Sequence, residues 1–131
     1  MSIQPREIYA ESHFIFDNGD IDQKDNRNCM VALVSEEGYY YYLTLATHDN
    51  DVMNNYQRYP EENYLLSKKK VFGLNRTSLV NLRSIYKGPL KGKLVVIVPD
   101  DEYKKLMKKF VSFQESHPNP LYLEMKPLLE K

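Results

Sequence analysis

Residues 25–34 read DNRNCMVALV, and residues 39–48 read YYYYLTLATH. The first segment passes from polar residues into a short continuous apolar run, which is typical of a strand buried on both faces. Residues 35–38, Ser-Glu-Glu-Gly, have the composition of a tight turn, since glycine accepts positive φ. The second segment is rich in aromatic and β-branched residues and predicts the returning strand. In such a hairpin, Arg27 and Thr47 reach the same end of a sheet.

The rest of the chain predicts further short strands and one late helix. Residues 7–16 place apolar side chains at alternate positions, as in a half-buried strand. More strands are expected within 64–72, 78–86 and 94–98. The connections are mostly too short for parallel crossovers, so the pairing should be antiparallel. These features predict a mainly β protein with α structure, arranged as a small antiparallel barrel with one late amphipathic helix.

The late helix has clear start and stop signals. Asp100 follows a proline and is predicted to cap the free amide groups, and further acids suit the positive end of the helix dipole. Apolar residues then recur at helical spacing, and the helix should end near Ser116, before two prolines. Residues 48–63 are polar and show no sustained period, so they are expected to form a long mobile loop.

Length and composition favour one domain over residues 1–131, with the barrel and helix in 7–115 and a C-terminal tail in 116–131. The tail is expected to pack as an arm or as a last partial helix. Cys29 is the only cysteine and lies in an apolar run, which predicts a buried core thiol and excludes an internal disulfide. The absence of a signal peptide and of a long apolar run predicts a cytoplasmic protein without a membrane partner.

The charges are unevenly distributed along a chain whose formal net charge is zero. Residues 1–62 carry 12 acidic and 4 basic side chains, whereas residues 63–131 carry 14 basic and 6 acidic ones. Such a split is compatible with a positive face that binds a polyanion. It is equally compatible with a solvated basic helix and a solvated acidic loop region.

Motifs for several common chemistries are missing from the sequence. The three histidines lie at no zinc-ligand spacing, and a pair of aspartates after His48 is weak evidence for a hard cation. There is no phosphate-binding glycine loop, dinucleotide fingerprint or serine nucleophile elbow. We therefore expect no metal and no cofactor.

Metal-independent phosphoryl chemistry remains possible around the hairpin. An arginine fork matches the oxygens of a phosphate, which makes Arg27 a candidate, with Lys24 close by in sequence. The hydroxyl of Thr47 can donate to developing charge, and His48 can act as an acid or a base near neutral pH. Alternatively, Thr47 simply ends a strand, His48 lies in a loop and Arg27 faces solvent.

The four consecutive tyrosines at 39–42 also allow two interpretations. At a period of two, one pair enters the core while the other, represented by Tyr40, can face outwards as a stacking surface for unpaired bases. The alternative is that they are cross-strand packing partners, which is the more common use of such residues.

The order of these segments resembles the MazF/PemK toxin ribonucleases and the related RNA-inhibited ToxN/AbiQ toxins. The resemblance is carried by the Arg27-Asn28-Cys29 strand start, the Leu45-Ala46-Thr47 strand end, the later segment SLVNLRSI at 78–85 and an acidic start to the late helix. It covers roughly residues 7–115. Asn28 stands where the MazF branch usually has proline, so the ToxN-like branch or a divergent one fits as well.

The resemblance implies an SH3-like barrel and metal-independent cleavage of single-stranded RNA by its own 2′-hydroxyl, leaving a cyclic phosphate. By position, Arg27 would contact the phosphate and Thr47 would be catalytic, while His48 replaces a serine of the ToxN-like branch. It also implies a cognate antitoxin, either RNA or protein, and a possible homodimer. Lys68, Lys69 and Lys70, together with the late helix, would add affinity for the RNA backbone.

The function expected from the sequence is thus that of a toxin of a toxin–antitoxin system, acting as an endoribonuclease. The alternative is a non-catalytic SH3-like module that binds protein or nucleic acid, including a topoisomerase-poisoning toxin of the same fold.

Overall fold

A seven-stranded antiparallel sheet dominates the computed structural model, which describes residues 2–12, 14–16, 18–22, 26–47 and 50–130, with the backbone alone at Thr47, Asn50, Asp51, Val52 and Asn55. The strands are β1 (Glu7–Glu11), β2 (Arg27–Val34), β3 (Tyr40–Thr47), β4 (Asn63–Leu66), β5 (Ser78–Asn81), β6 (Tyr86–Gly88) and β7 (Lys93–Ile97). The helices are α1 (Asn50–Arg58), α2 (Asp100–Ser116) and α3 (Pro120–Leu129), and a 3₁₀ turn covers Pro60–Glu62.

The strands follow the order β4-β5-β3-β2-β1-β7, and β3 is shared between two parts of the sheet. Its first half pairs with β6 and its second half pairs with β5, while β2 lies along its other side. The predicted fold class, mainly β with α structure in a small antiparallel barrel-like fold, is confirmed.

The β2–β3 hairpin forms as predicted and is buried on both faces. Its turn places Gly38 at φ 87°, a conformation that side chains with a Cβ rarely adopt. Met30 and Ala32 face the main core, whereas Cys29 and Val31 face a second apolar cluster. Two separate cores thus hold this hairpin in place.

The main core lies between the sheet and the last two helices. Leu106 and Phe110 of α2 are fully buried, as are Tyr122 and Met125 of α3. The ring of Phe110 meets that of Tyr122 edge-on, with centroids 5.8 Å apart. The late amphipathic helix therefore exists as predicted, and the C-terminal tail contributes a further helix to the same core.

Two local predictions were wrong. The segment 48–63, predicted as a loop, contains α1 and a 3₁₀ turn within its described part. Asp100 does not cap α2, because Pro99 occupies the N-cap position. Asp100 is instead the first helical residue, and its carboxylate lies 2.9 Å from Lys104 Nζ one turn later.

Within the described residues, none of the helices is both long enough and apolar enough to cross a lipid bilayer.

Candidate functional site

A cleft of about 350 Å³ opens at the end of the sheet where β2 begins and β3 ends. Its lining combines two arginines, three asparagines and a serine with three apolar residues. No carboxylate is found among the described lining residues. The lining residues are Ala10, Asn26, Arg27, Asn28, Leu45, Asn75, Arg76, Ser78 and Val95. Guanidinium groups bind phosphate and amides bind the edges of bases, so this lining suits an anionic polymer with hydrogen-bonding groups.

The strand register explains why these residues meet. Arg27 is the first residue of β2, and Thr47 is the last residue of the neighbouring antiparallel strand β3. Thr47 pairs with Ser78, which in turn pairs with Leu66 at the end of β4. The β4–β5 connection, residues 67–77, therefore starts and finishes at this end of the sheet. We call it the 67–77 loop.

Arg27 is held by three contacts. Its Nε donates to Asp22 Oδ2 over 2.6 Å, and its Nη1 donates to the backbone oxygen of Leu45 over 3.1 Å. The guanidinium carbon lies 5.3 Å from the centroid of the Phe16 ring. The side chains of Arg27 and Asp22 are only 12% and 4% exposed. The arginine is thus fixed before any ligand arrives, and Nη2 makes no hydrogen bond within the described part of the chain.

Arg27 also borders a second, smaller cavity of about 160 Å³. This cavity is lined further by Phe16, Thr44, Ala46, Asn63, Leu79 and Asn81. Arg27 is thus a lining residue of both the cleft and the smaller cavity.

Thr47 reaches the predicted end of the sheet, but its side chain lies outside the described part of the structure. The backbone of Thr47 pairs with Ser78, which lines the cleft beside Arg27. Arg27 and Thr47 therefore lie at the same end of the sheet, as the hairpin predicted. Lys24 and His48 lie outside the described residues.

The remaining predicted binding residues divide into two groups. Lys68, Lys69 and Lys70 are exposed in the 67–77 loop, at the same end of the sheet as the cleft. Tyr40 pairs with Gly88 at the beginning of β3 and is half-buried against the second apolar cluster. The structure thus places the lysines at the end of the sheet that holds the cleft and Tyr40 at the opposite end of its strand.

The packing interpretation of the tyrosine run is confirmed for its two buried members. Tyr42 stacks on its cross-strand partner Tyr86, with centroids 5.9 Å apart and ring planes 21° from parallel. Burial raises the pKa of Tyr42 to about 12. Tyr41 is buried in the main core, and its hydroxyl donates to Glu124 over 2.5 Å.

Two residues of the site escaped the sequence interpretation. Arg76 lines the cleft, is exposed and has no carboxylate within ion-pair distance among the described residues. The sequence signal was available, because Arg76 precedes the Ser78 strand by two residues and follows three lysines. Asp22, the partner of Arg27, gave no such signal, since it is one of several aspartates in an acidic stretch.

The chemistry of the other reactive groups is limited. Cys29 is fully buried, as predicted, and burial raises the pKa of its thiol to about 12. The hydroxyl of Ser78 is almost entirely buried and donates to the backbone oxygen of Arg76 over 2.9 Å. Because both side chains are buried, neither Cys29 nor Ser78 is available as a nucleophile.

No group of three or more histidine, cysteine or carboxylate side chains suited to a metal ion occurs within the described ranges.

Comparison with known proteins gives no match to any family model and no match to any curated protein. The candidate site is therefore defined by its geometry and its charge.

Proposed function

We propose that this protein is a metal-independent endoribonuclease that cleaves single-stranded RNA, and that it acts in the cytoplasm as the toxin of a toxin–antitoxin pair. The observation that carries the proposal is the cleft at the β2–β3 end, where Arg27 and Arg76 meet three asparagines with no carboxylate among the described lining residues. A strand of RNA presents the complementary groups, namely phosphates and base edges. The antitoxin is either an RNA or a protein that blocks this cleft.

In the proposed reaction, the 2′-hydroxyl of a nucleotide attacks the adjacent phosphorus. The 2′-oxygen loses its proton to a base, the bond from phosphorus to the 5′-oxygen breaks, and the departing oxygen takes up a proton. The products are a 2′,3′-cyclic phosphate and a free 5′-hydroxyl. Negative charge grows on the non-bridging oxygens, and a fixed guanidinium at that position stabilises it without reorganising.

Arg27 is the proposed donor to those oxygens, because its Nη atoms are oriented by the contacts of Nε and Nη1. Arg76 holds the neighbouring phosphate, as an exposed arginine of the same cleft. Thr47 would support the transition state from the end of β3, and His48 or Lys24 would transfer the protons. These last roles follow from the sequence position of the residues.

The test is incubation of the purified protein with an end-labelled single-stranded RNA in EDTA. We expect discrete fragments that end in a cyclic phosphate, and no cleavage of DNA of the same sequence, which lacks the 2′-hydroxyl. Thr47→Ala and Arg27→Lys should each lower the cleavage rate by about 10²–10³, the usual cost of losing one donor to a developing oxyanion.

Arg83→Ala is the matched control. Arg83 is an exposed arginine paired with Glu62 over 2.7 Å, beyond the end of β5 that lies away from the cleft. Its removal should leave the cleavage rate unchanged. Intact RNA after incubation with the folded wild-type protein, or equal rates for wild type and Thr47→Ala, would contradict the proposal.

A second candidate is a module that binds single-stranded nucleic acid or a protein without cleaving anything. The ion pair between Arg27 and Asp22 favours it, because a guanidinium that already has a buried carboxylate partner adds less charge to a bound phosphate. A mobility shift with intact RNA in the same EDTA experiment would support this module.

A further inference from the structure

Phe72 is the most exposed large apolar side chain of the described structure, with 98% of its surface open to solvent. It lies in the 67–77 loop, which carries four basic side chains and no acidic one. A single exposed apolar residue is ordinary in itself. Phe72 is distinguished by the backbone that carries it, which is held in one conformation by hydrogen bonds and buried neighbours.

The 67–77 loop is held by its own hydrogen bonds and by two buried residues, one before and one after Phe72. Val71 is fully buried and its N–H donates to Ser67, while Leu74 is buried and its N–H donates to Val71. Gly73 packs so closely on Val96 of β7 that a Cβ there would lie 3.2 Å from a methyl carbon. Phe72 is therefore presented to solvent by a fixed backbone, at little further cost in chain entropy on binding.

The 67–77 loop that carries Phe72 is cationic and borders the cleft through Asn75 and Arg76. Lys68, Lys69 and Lys70 precede it, and Arg76, which follows it, lines the cleft. Among the described residues, none of these four cations has a carboxylate within ion-pair distance. An exposed apolar ring on a loop with these four basic side chains suits a ligand that has both anionic and flat aromatic parts.

We propose that Phe72 is a stacking platform for one unpaired base of the RNA strand whose phosphates lie in the cleft. Stacking uses the face of the ring and accepts any base, while the lysines neutralise the flanking phosphates. The inference rests on the proposed RNA-binding function and adds to it a contact outside the cleft. It assigns binding, and no chemical step, to Phe72.

The chain contains no tryptophan, which makes a direct optical test possible. Phe72→Trp introduces the single indole of the protein at the platform. We expect its fluorescence to be quenched when a single-stranded oligoribonucleotide with 2′-O-methyl groups, which cannot be cleaved, is added. Tyr39→Trp is the matched control, because Tyr39 is exposed and immediately precedes β3, at the end of that strand away from the cleft. Its ring centroid lies 4.6 Å from Lys87 Nζ, so a cation is close to this position as well. The fluorescence of this variant should not change.

Affinity gives an independent reading. Phe72→Ala should weaken binding of the same oligonucleotide by about 5- to 150-fold, the usual range for one stacked base, whereas Phe72→Tyr should retain it. Phe72→Leu, which keeps an apolar side chain without a ring, should resemble Phe72→Ala. Lys69→Ala should reduce the salt dependence of binding, and Phe72→Ala should not, because stacking releases no counterions.

The outcomes separate this inference from the function on which it rests. Tight binding that is unaffected by Phe72→Ala, with no quenching of Phe72→Trp, overturns the platform and leaves the RNA-binding cleft intact. No binding of RNA by the wild-type protein overturns both. An indole that shifts to the blue with vesicles of anionic lipid, but not with RNA, overturns the platform in favour of a membrane contact.

Discussion

The ion pair of Arg27 and Asp22 determines how substitutions at the candidate site should be designed. A buried carboxylate and a nearly buried guanidinium stabilise each other at 2.6 Å, so removing one of them changes both the site and the fold. Loss of activity in Arg27→Ala alone would not separate the two effects. A replacement that keeps the contact but removes the charge is more informative.

We expect Arg27→Ala to lower the free energy of unfolding by about 3–5 kcal/mol, the usual cost of breaking a buried pair from one side. The double variant Arg27→Gln with Asp22→Asn should cost less, because two amides retain a hydrogen bond without a buried charge. Urea unfolding followed by circular dichroism measures both values. Equal losses of stability in the two variants would contradict this expectation.

At the level of single residues, the sequence predicted positions better than contacts. Arg27 and Thr47 were expected at one end of a sheet because antiparallel neighbours reverse direction at a turn, and their strands have that arrangement. The partner of Arg27 was not predictable, since Asp22 comes from an irregular segment with no periodic signal. Arg76 stood out in the sequence as a basic residue after three lysines, but its place at the cleft depends on the pairing of β4 with β5.

Among the elements, α3 is the one whose contribution to stability is easiest to test. Two of its residues, Tyr122 and Met125, are fully buried, while Leu123 between them is 59% exposed. Glu124 of the same helix accepts hydrogen bonds from Lys87 and Tyr41, and these bonds lower the pKa of its carboxyl. The helix thus closes the main core and is tied to β3 and β6.

Met125→Ala should lower the free energy of unfolding by about 2–5 kcal/mol, because it leaves a cavity in a closely packed core. Leu123→Ala is the matched control and should change stability by no more than about 0.5 kcal/mol, since its side chain is largely in water. Thermal or urea unfolding of the two variants checks the difference. Similar losses at both positions would mean that α3 does not dock as described.

The helices show where local sequence patterns are informative and where they are not. The late helix was predictable because its apolar residues recur over several turns and acids begin it. The first helix was not, because NDVMNNYQR is dominated by polar residues of low helix propensity. Its amphipathic character depends on a few positions over nine residues, which is too short a window to stand out from a polar loop.

For the molecule as a whole, several buried or partly buried groups couple stability to alkaline pH. Burial raises the pKa of Tyr42, Tyr64 and Tyr103 to about 12, from 10.0, and that of Cys29 to about 12, from 9.0. At a pH between the ordinary pKa of each group and its raised pKa in the folded protein, the unfolded chain releases protons that the folded chain keeps. The unfolded state therefore binds fewer protons there, and the free energy of unfolding decreases as pH rises.

We expect this decrease to begin near pH 9, where the unfolded thiol ionises, and to steepen above pH 10 as the tyrosines follow. Urea unfolding midpoints measured from pH 8 to pH 11 provide the check. Tyr42→Phe retains the ring that stacks on Tyr86 but removes one titrating hydroxyl, so its midpoint should fall less steeply with pH. A midpoint independent of pH over this range would contradict the expectation.

The overall topology contains one pairing that no local pattern could reveal. β1 lies between β2 and β7, and Ile8 pairs with Val96 although most of the chain separates them. Hairpins are encoded by a turn and two adjacent strands, whereas such a closure depends on every element between its ends.

That closure has a consequence for synthesis on the ribosome. The strand β1 is synthesised long before its partner β7, and α2 and α3, which complete the core, follow β7. A nascent chain can therefore form the β2–β3 hairpin early but cannot assemble the finished fold before α2 and α3 have been synthesised. Val95 of β7 lines the cleft beside Arg27, so the candidate site is complete only after β7 has been synthesised.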